Sequence, residues 1–578
     1  MSGFKNELTK RKQFDILRAQ LENERSSFLS HWRDLGEHIL PRRPRFTTSE
    51  NNKGDRKNQK IIDATATMAA RTLRSGMMSG VTSPARPWFR LSIPDPQFME
   101  SGPVKDWLHI VTERMSATFI KSNLYNVLPT VYGDMGVFGT AAMMVEEDFD
   151  EVMRFYVFPI GSYAIAVNDK LKVDIFYREF RMTVRQVVDR FGVRDRSGKV
   201  IWDNISNSVR SQYESGHGEA WVDVCHMIRP NQDFDDSKVE SKHKKFSSCY
   251  YEKGSSKSAG DEDKILREMG YDYFPVLCPR WEVTGEDVYG TECPGMIALG
   301  DIRALQLMQK KKAQAIEKMV NPPMVAPTSM ANTKISLLPG DVSFSDAREG
   351  TSGMRPVHEV NPRVNELIMD IQEYQMRIKR VFYEDLFLML SNTDRREITA
   401  REVDVRQEEK LLALGPVLEQ LNQDLLDPLI DIAFTIMDRQ GLIPEPPQDI
   451  QGKSLRVEYI SIMAQAQKLA GIAGIERFAG FANGLLSVNP EVADKVDFDQ
   501  MVDVYGDRLS LQPGIVRPDE KVAEIRSARA QAQQAQQVAA TVQQGAAAMR
   551  DLSSADMEGD NALTRLIQNA NAGALTPQ

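Results

Sequence analysis

Apolar side chains at Phe14, Leu17, Leu21, Phe28, Trp32 and Leu35 recur every three or four residues, which predicts one amphipathic helix from about Asn6 to His38, ended before Pro41. The polar run 41–60 reads as a loop, and a second helix is predicted from Asp63 to about Met78. In "VTSPARPWFRLSIPDP" the closely spaced prolines exclude a helix, so Trp88, Phe89 and Leu91 anchor an extended segment. Residues 103–145 read as helices broken at Pro129 and at Gly133, Gly136 and Gly139.

From Met153 to about Val224, β-branched and aromatic residues predict paired strands. "TVRQVVDRFG" interrupts them as a short helix capped by Thr183 and stopped by Gly192. The polar stretch "DFDDSKVESKHKKFSSCYYEKGSSKSAGDED" contains a protruding loop or hairpin.

Beyond Gly295 long helical periods take over. One helix is predicted over Ile297–Val320, roughly 35 Å at ~1.5 Å per residue, and Asn321-Pro322-Pro323 ends it. "TKISLLPGDVSF" places a Pro-Gly-Asp turn between two apolar runs and reads as a small β element. A second helix covers "RVNELIMDIQEYQMRIKRVFYEDLFLML" and is interrupted at "SNTDRRE". A third runs from about Ile398 to Gln440, bent by Pro416 and Pro428, with shorter helices to about Leu511. "SARAQAQQAQQVAATVQQGAAAM" is an Ala/Gln helix former with little to bury alone, so it needs like neighbours around it. The pattern as a whole is α+β and mainly helical.

A chain of 578 residues with 42% hydrophobic content supports more than one core. The formal charge of -9 argues against a protein that coats nucleic acid, yet the first sixty residues carry 14 Lys/Arg against 8 Asp/Glu, so a local basic surface is compatible with it. Cys225, Cys249, Cys278 and Cys293 form no CxxC pair, which fits neither a disulfide scaffold nor a zinc ribbon, and a reducing compartment is expected. The first residues lack the apolar core of a signal peptide, and no stretch approaches ~18 apolar residues, so no membrane association is expected.

The chemical motifs are mostly negative. There is no GxxxxGK[ST], GxSxG, HExxH or EF-hand loop. His217-Gly218-Glu219 has the HxE of zinc deaminases without the required PCxxC, which leaves His217 as a loop residue. The run Glu146, Glu147, Asp148, Asp150, Glu151 points in several directions and reads as a solvated turn. No catalytic, metal or cofactor residue is assigned, and the chain reads as a non-enzyme. The basic helix is more informative. Lys311 and Lys318 share one face, and Lys310 and Lys312 flank it by about 100° on either side. By itself this is an ordinary solvated face.

Six stretches change that picture: "MMSGVTSPARPWFRL", "GVFGTAAMMVEED", "FPIGSYAIAVND", "DVYGTECPGMIALGDIRALQ", "KMVNPPMVAP" and "EITAREVDVRQEEKLLALGPVLEQLNQDLLDPLIDIAF". In this order, from about residue 10 to 450, the chain resembles the podovirus-type head-to-tail connecting proteins, the portal proteins of short-tailed double-stranded DNA phages. Past Leu511 the likeness is one of composition.

The resemblance implies a portal-type subunit with a wing (1–296), a first stem helix (297–320), a clip (321–362), a second stem helix (363–390), a tunnel loop (391–397), a spine and crown (398–511) and a C-terminal helical barrel segment (512–578). It implies a ring, typically a dodecamer, at one capsid vertex of the virion, assembled in the bacterial host cytoplasm. Its partners would be terminase, a tail adaptor, the major capsid or scaffolding protein, and double-stranded DNA passing without sequence specificity. Lys310, Lys311, Lys312, Lys318, Arg395 and Arg396 would then face the DNA channel, and Lys334, Ile335, Leu337, Leu338 and Phe344 would form the docking surface of the clip. Each neutralised phosphate adds affinity through counterion release, so a channel that lets DNA slide is best built from a mostly acidic protein with a few basic rings. The competing classes are a nuclease or ATPase of the packaging machinery, and a tail or scaffold protein without a channel; neither has a motif here.

Overall fold

Trp32 explains how the N-terminal helix is seated: its ring is fully buried, its indole N–H donates to Phe138 O at 3.1 Å, and Phe28 and Tyr289 pack against it. The computed structural model describes residues 9–47, 54–94, 102–321, 324–325, 355–356, 364–391, 414–452, 455–460, 472–486, 495–508 and 521–537. Helix α1 (Lys10–His38) ends where the period predicts. Helices α2 (Thr65–Val81), α3 (Gly102–Lys121) and α4 (Leu124–Phe138) follow, with the extended segment β1 (Phe89–Ser92) between α2 and α3. Trp88, Phe89 and Leu91 are buried as expected, and β1 pairs antiparallel with Arg456–Tyr459, which ties the first hundred residues to a segment more than 350 positions away.

The expected breaks at Pro129, Gly133 and Gly136 do not occur: all three lie inside α4, which stops at Gly139 with φ +80. Two of the glycines are there for contact. A Cβ on Gly136 would collide with Leu73 of α2, and one on Gly133 would lie 3.2 Å from Arg74 Cδ. Close helix packing, rather than chain reversal, uses them. Beside them the buried Asp134 receives a bidentate pair from Arg43, with Nε 2.7 Å from each carboxylate oxygen.

Strands begin earlier and end later than expected. β2 (Met143–Asp148) and β3 (Val152–Val157) form a sheet in the order β9-β2-β3, while β4 (Tyr163–Val167), β5 (Val173–Thr183), β6 (Trp221–Pro230), β7 (Phe246–Glu252) and β8 (Arg267–Tyr271) form a five-stranded antiparallel sheet in the order β8-β7-β6-β5-β4; β9 is Val276–Leu277. The polar stretch expected to contain a protruding loop or hairpin has loops on both flanks, and between them lies strand β7, where "FSSCYYE" buries six of its seven residues. Alternation places Cys225, Met227, Cys249 and Tyr251 under Phe14 and Leu21 of α1. Val224 and Tyr250 lie on the other face with Val184, Val187 and Val188 of α5 (Val184–Phe191). Thr183 forms the full capping box with Gln186. All four cysteines are buried thiols, and burial pushes those of Cys225, Cys249 and Cys293 up to about 12.

A short helix α6 (Asn207–Glu214) precedes β6, and His217 lies in the turn between them, its Nδ1 3.3 Å from Ser215 Oγ. The long helix α7 (Pro294–Val320) starts three residues before the expected Ile297 because Pro294 sits in its first turn, where no N–H is needed. The second long helix is divided: α8 (Val364–Val381) and α9 (Glu384–Ser391) are separated at Tyr383, which has φ +56 and packs its ring on Trp281. In the third helical run, residues 414–421 pass through a π turn, Asn422–Leu426, into α10 (Asp427–Arg439). Pro428 cannot donate to the carbonyl four residues back, and the Asp427 N–H reaches five back to Asn422 O. Helices α11 (Ile472–Leu486), α12 (Phe498–Arg508) and a helix over 521–537 complete the described chain. Among the described residues no helix is long and apolar enough to cross a membrane.

Candidate functional site

Helix α7 changes character along its length. Ala298, Leu299, Ile302, Leu305 and Gln306 are buried against α4, α1 and α8, whereas from Leu307 onward no side chain is buried. At ~100° per residue, Lys311 lies about 180° from Ile302 and Lys318 within about 20° of Lys311. The two therefore occupy the face opposite the packed one, and both are exposed. Lys310 is exposed on one flank. Lys312 stacks almost over Leu305, toward the packed side, and is half-buried. None of the four has an Asp or Glu three or four positions away along the helix, the spacing at which a solvated face normally neutralises itself. Of the nearby acids, Asp301 pairs with Arg377 at 3.0 Å and Asp34 pairs with Arg303, while Glu317 is exposed next to Lys318.

Helix α8 faces α7 with Leu367, Ile371, Tyr374 and Ile378 at alternating steps of four and three. Leu305 of α7 and Ile371 of α8 are buried, and Met308 and Tyr374 pack on the same core; Ile316, in the outer part of α7, is not buried. The helices are joined by a polar clasp that no local pattern announces. Asp63 Oδ2 accepts from Gln309 Nε2 of α7 and from Gln375 Nε2 of α8, each at 2.8 Å, while its Oδ1 accepts from Thr65 N at the start of α2. The buried Gln306 accepts from the Ile62 and Asp63 amides and donates to Asp63 O. Burial would raise the Asp63 carboxyl, but the hydrogen bonds from Thr65, Gln375 and Gln309 outweigh it and hold the group below its ordinary value. With Arg377 reaching Asp301 and Gln375 meeting Gln309, the contacts advance in opposite directions along the two helices, so α7 and α8 are antiparallel.

At the outer end, Met324–Val325 pairs antiparallel with Arg355–Pro356, which brings the two ends of the intervening excursion together. Lys334, Ile335, Leu337, Leu338 and Phe344 of that excursion lie outside the described residues, as do Arg395 and Arg396. The structure thus brings Lys311 and Lys318 onto one open face, with Lys310 and Lys312 flanking it. It adds Asp63, Gln306, Gln309 and Gln375 as the residues that position this face.

The arrangement offers fixed positive charge on a rigid helical arm and no reactive group. Among the described residues there is no cluster of three or more His, Cys, Asp or Glu able to hold a metal. A family model described as "Bacteriophage head to tail connecting protein" matches residues 11–516. The chain is 49% identical over 554 residues to a protein named "Portal protein" from Salmonella phage epsilon15, covering 96% of this chain and 97% of that protein. It is 44% identical over 558 residues to a "Probable portal protein" from Bordetella phage BPP-1, covering 96% and 98% respectively.

Proposed function

The chain belongs to the bacteriophage head to tail connecting protein family, and on that premise we propose that it is the portal subunit of a short-tailed phage. In this reading it forms a closed ring at one capsid vertex of the virion, the passage for double-stranded DNA during packaging and ejection and the platform on which terminase and tail dock. The observation that carries it is the near full-length match to a phage portal protein at 49% identity. The family is one of structural connectors, and the mechanism is geometric rather than catalytic.

In that ring α7 and α8 are the stem, and the lysine face of α7 is directed to the channel together with Arg395 and Arg396 of the tunnel loop. The α7 geometry supports this, because the face opposite the packed one is the face left free to meet DNA. A few cations per subunit hold phosphates weakly enough for DNA to slide without sequence preference. The excursion after Val320 is the clip, carrying Lys334, Ile335, Leu337, Leu338 and Phe344 toward terminase and later a tail adaptor. Residues before α7 form the wing, facing the capsid or scaffolding protein, and the helices after the tunnel loop form spine, crown and barrel. Assembly takes place in the host cytoplasm. A heterologous interface that closes on itself gives a ring of defined number. Twelve copies of the 65.3 kDa chain would weigh roughly 0.8 MDa. Negative-stain images of the purified protein should show rings with an axial hole; light scattering that finds only monomer or dimer across salt and protein concentrations would overturn the reading.

A further inference from the structure

The antiparallel pair α7–α8 has two flanks, and they differ in charge. At ~100° per residue, Asp301 and Lys310 of α7 lie about 180° apart, to either side of Ile302 on the packed face. Arg377 of α8 reaches Asp301 and so marks one flank; the Asp63 clasp, which joins Gln309 to Gln375, marks the other.

The first flank is acidic. Glu366, Asp370 and Glu373 precede Arg377 at steps of four, three and four, hence within about 40° of it around α8. Asp370 and Glu373 are exposed and form no ion pair among the described residues, while Arg377 is taken up by Asp301. Lys312 of α7 stands half-buried on this side and pairs with neither carboxylate.

The second flank is basic. Lys310 lies within about 40° of Gln306, which accepts from the Ile62 and Asp63 amides, and it is exposed without an ion pair among the described residues. Arg303 on the same side is neutralised by Asp34 of α1. The segment ahead of α2, fastened here through Ile62 and Asp63, carries Asp55, Arg56, Lys57 and Lys60. Lys60 pairs with Glu37 at 2.6 Å, which leaves Arg56 and Lys57 against Asp55. Part of the cationic surplus of the first sixty residues is therefore delivered to this flank.

Height matches as well as charge. The Asp301–Arg377 pair and the Gln309–Asp63–Gln375 bridge set the two helices against each other so that Lys310 stands level with Asp370 and Glu373. Glu317, two turns further out on α7, is level with the start of α8 at Val364. Rotation about an axis along the helices preserves level, so the acidic flank of one copy meets the basic flank of the next with its carboxylates at Lys310.

We infer that Asp370 and Glu373 of one subunit seat against Lys310 and the Arg56–Lys57 segment of a second copy of this chain. Two different patches meet, so the contact is heterologous, the kind that repeats around a ring. Opposed charges of this sort fix partner and register more than they add affinity. Lys311, about 100° round from Lys310, stays off the contact and on the channel face. The inference rests on the ring reading above.

The test uses the full-length chain. Mass photometry in low salt gives the protein concentration at which half of the chain is in rings. Lys310→Glu should raise it severalfold, and so should Asp370→Lys with Glu373→Lys; the three substitutions together should return it to near the wild-type value. No recovery in the triple variant, with unchanged circular dichroism spectra, overturns the contact. Lys310→Glu rings that assemble as wild type while virions lose DNA make Lys310 a channel residue, which also overturns it. As an independent arm, Lys310→Cys and Glu373→Cys are combined, the chain's own thiols being buried, and treated with a short bismaleimide. A ladder of covalent oligomers is expected, with neither single variant giving more than trace dimer. Normal rings that yield no ladder, or only an internally linked monomer, overturn the contact; absence of rings from the wild-type chain overturns the ring reading instead.

Discussion

Arg280 and Asp424, 144 positions apart, form a bidentate ion pair in the interior, with Nε–Oδ2 at 2.9 Å and Nη2–Oδ1 at 3.2 Å. Arg280 is 2% exposed, and its Nη2 also donates at 2.8 Å to the carbonyl of Leu171, a residue with φ +57 in the β4–β5 turn. One guanidinium therefore joins the sheet, a strained turn and the π turn of the third helical run.

Removing one partner leaves an uncompensated buried charge, so Arg280→Ala should cost about 3–5 kcal/mol, whereas Arg280→Met combined with Asp424→Leu should cost much less. Urea unfolding of the three proteins checks this. Equal losses in the single and double variants would mean that packing, not charge, is responsible.

The Asp63 clasp predicts a graded result. Asp63→Ala removes the acceptor of the Thr65 amide at the start of α2 and the acceptor shared by Gln309 and Gln375, and should cost about 1–3 kcal/mol. Asp63→Asn keeps one acceptor, and a glutamine amide can turn its oxygen toward the new NH2, so it should cost less. Because the hydrogen bonds hold the carboxyl below its ordinary value, its contribution is complete above about pH 4 and is lost as pH falls further. Hydrogen exchange of residues 307–320 and 364–375 should speed up in the alanine variant; unchanged protection there would remove the clasp as a coupling between the two helices.

His226 sets a second pH window. It is fully buried, stacked on Tyr250 at 3.9 Å, accepts at Nδ1 from Arg178 Nε at 3.2 Å, and so carries its proton on Nε2 facing Ser248 Oγ at 2.9 Å. Burial, then the Arg178 and Arg190 charges, hold its pKa well below the ordinary value. Below about pH 6.5 the unfolded chain gains a proton that the folded one does not, so stability falls as pH drops, by up to ~1.4 kcal/mol per pH unit. Melting profiles of His226→Phe between pH 7 and 5 should lose one proton's worth of slope relative to wild type; an identical slope would place the titration elsewhere.

For the channel, Lys311→Glu with Lys318→Glu should leave ring formation unchanged, because both side chains are exposed among the described residues, yet lower the DNA content of virions. The same direction is expected for Arg395→Glu with Arg396→Glu. Quantifying DNA per particle decides, and wild-type content in either double variant would remove the DNA role of that pair.

Local pattern determined a good part of this protein. The three-four spacing from Phe14 to Leu35 gave α1 its end, Thr183 and Gln186 gave α5 its start, and Asn321-Pro322-Pro323 gave α7 its stop, because helix periodicity, capping and proline geometry act within a few residues. The six ordered stretches were enough to indicate the family. Tertiary structure decided the rest. Gly133 and Gly136 look like breakers until Leu73 and Arg74 arrive against them, and "FSSCYYE" looks like loop until β6 and β8 supply its ladder partners. Asp63 with Gln309 and Gln375, and Arg280 with Asp424, are pairings across more than 140 positions, and a polar side chain shows its partner in sequence only when that partner lies within a turn or two of helix.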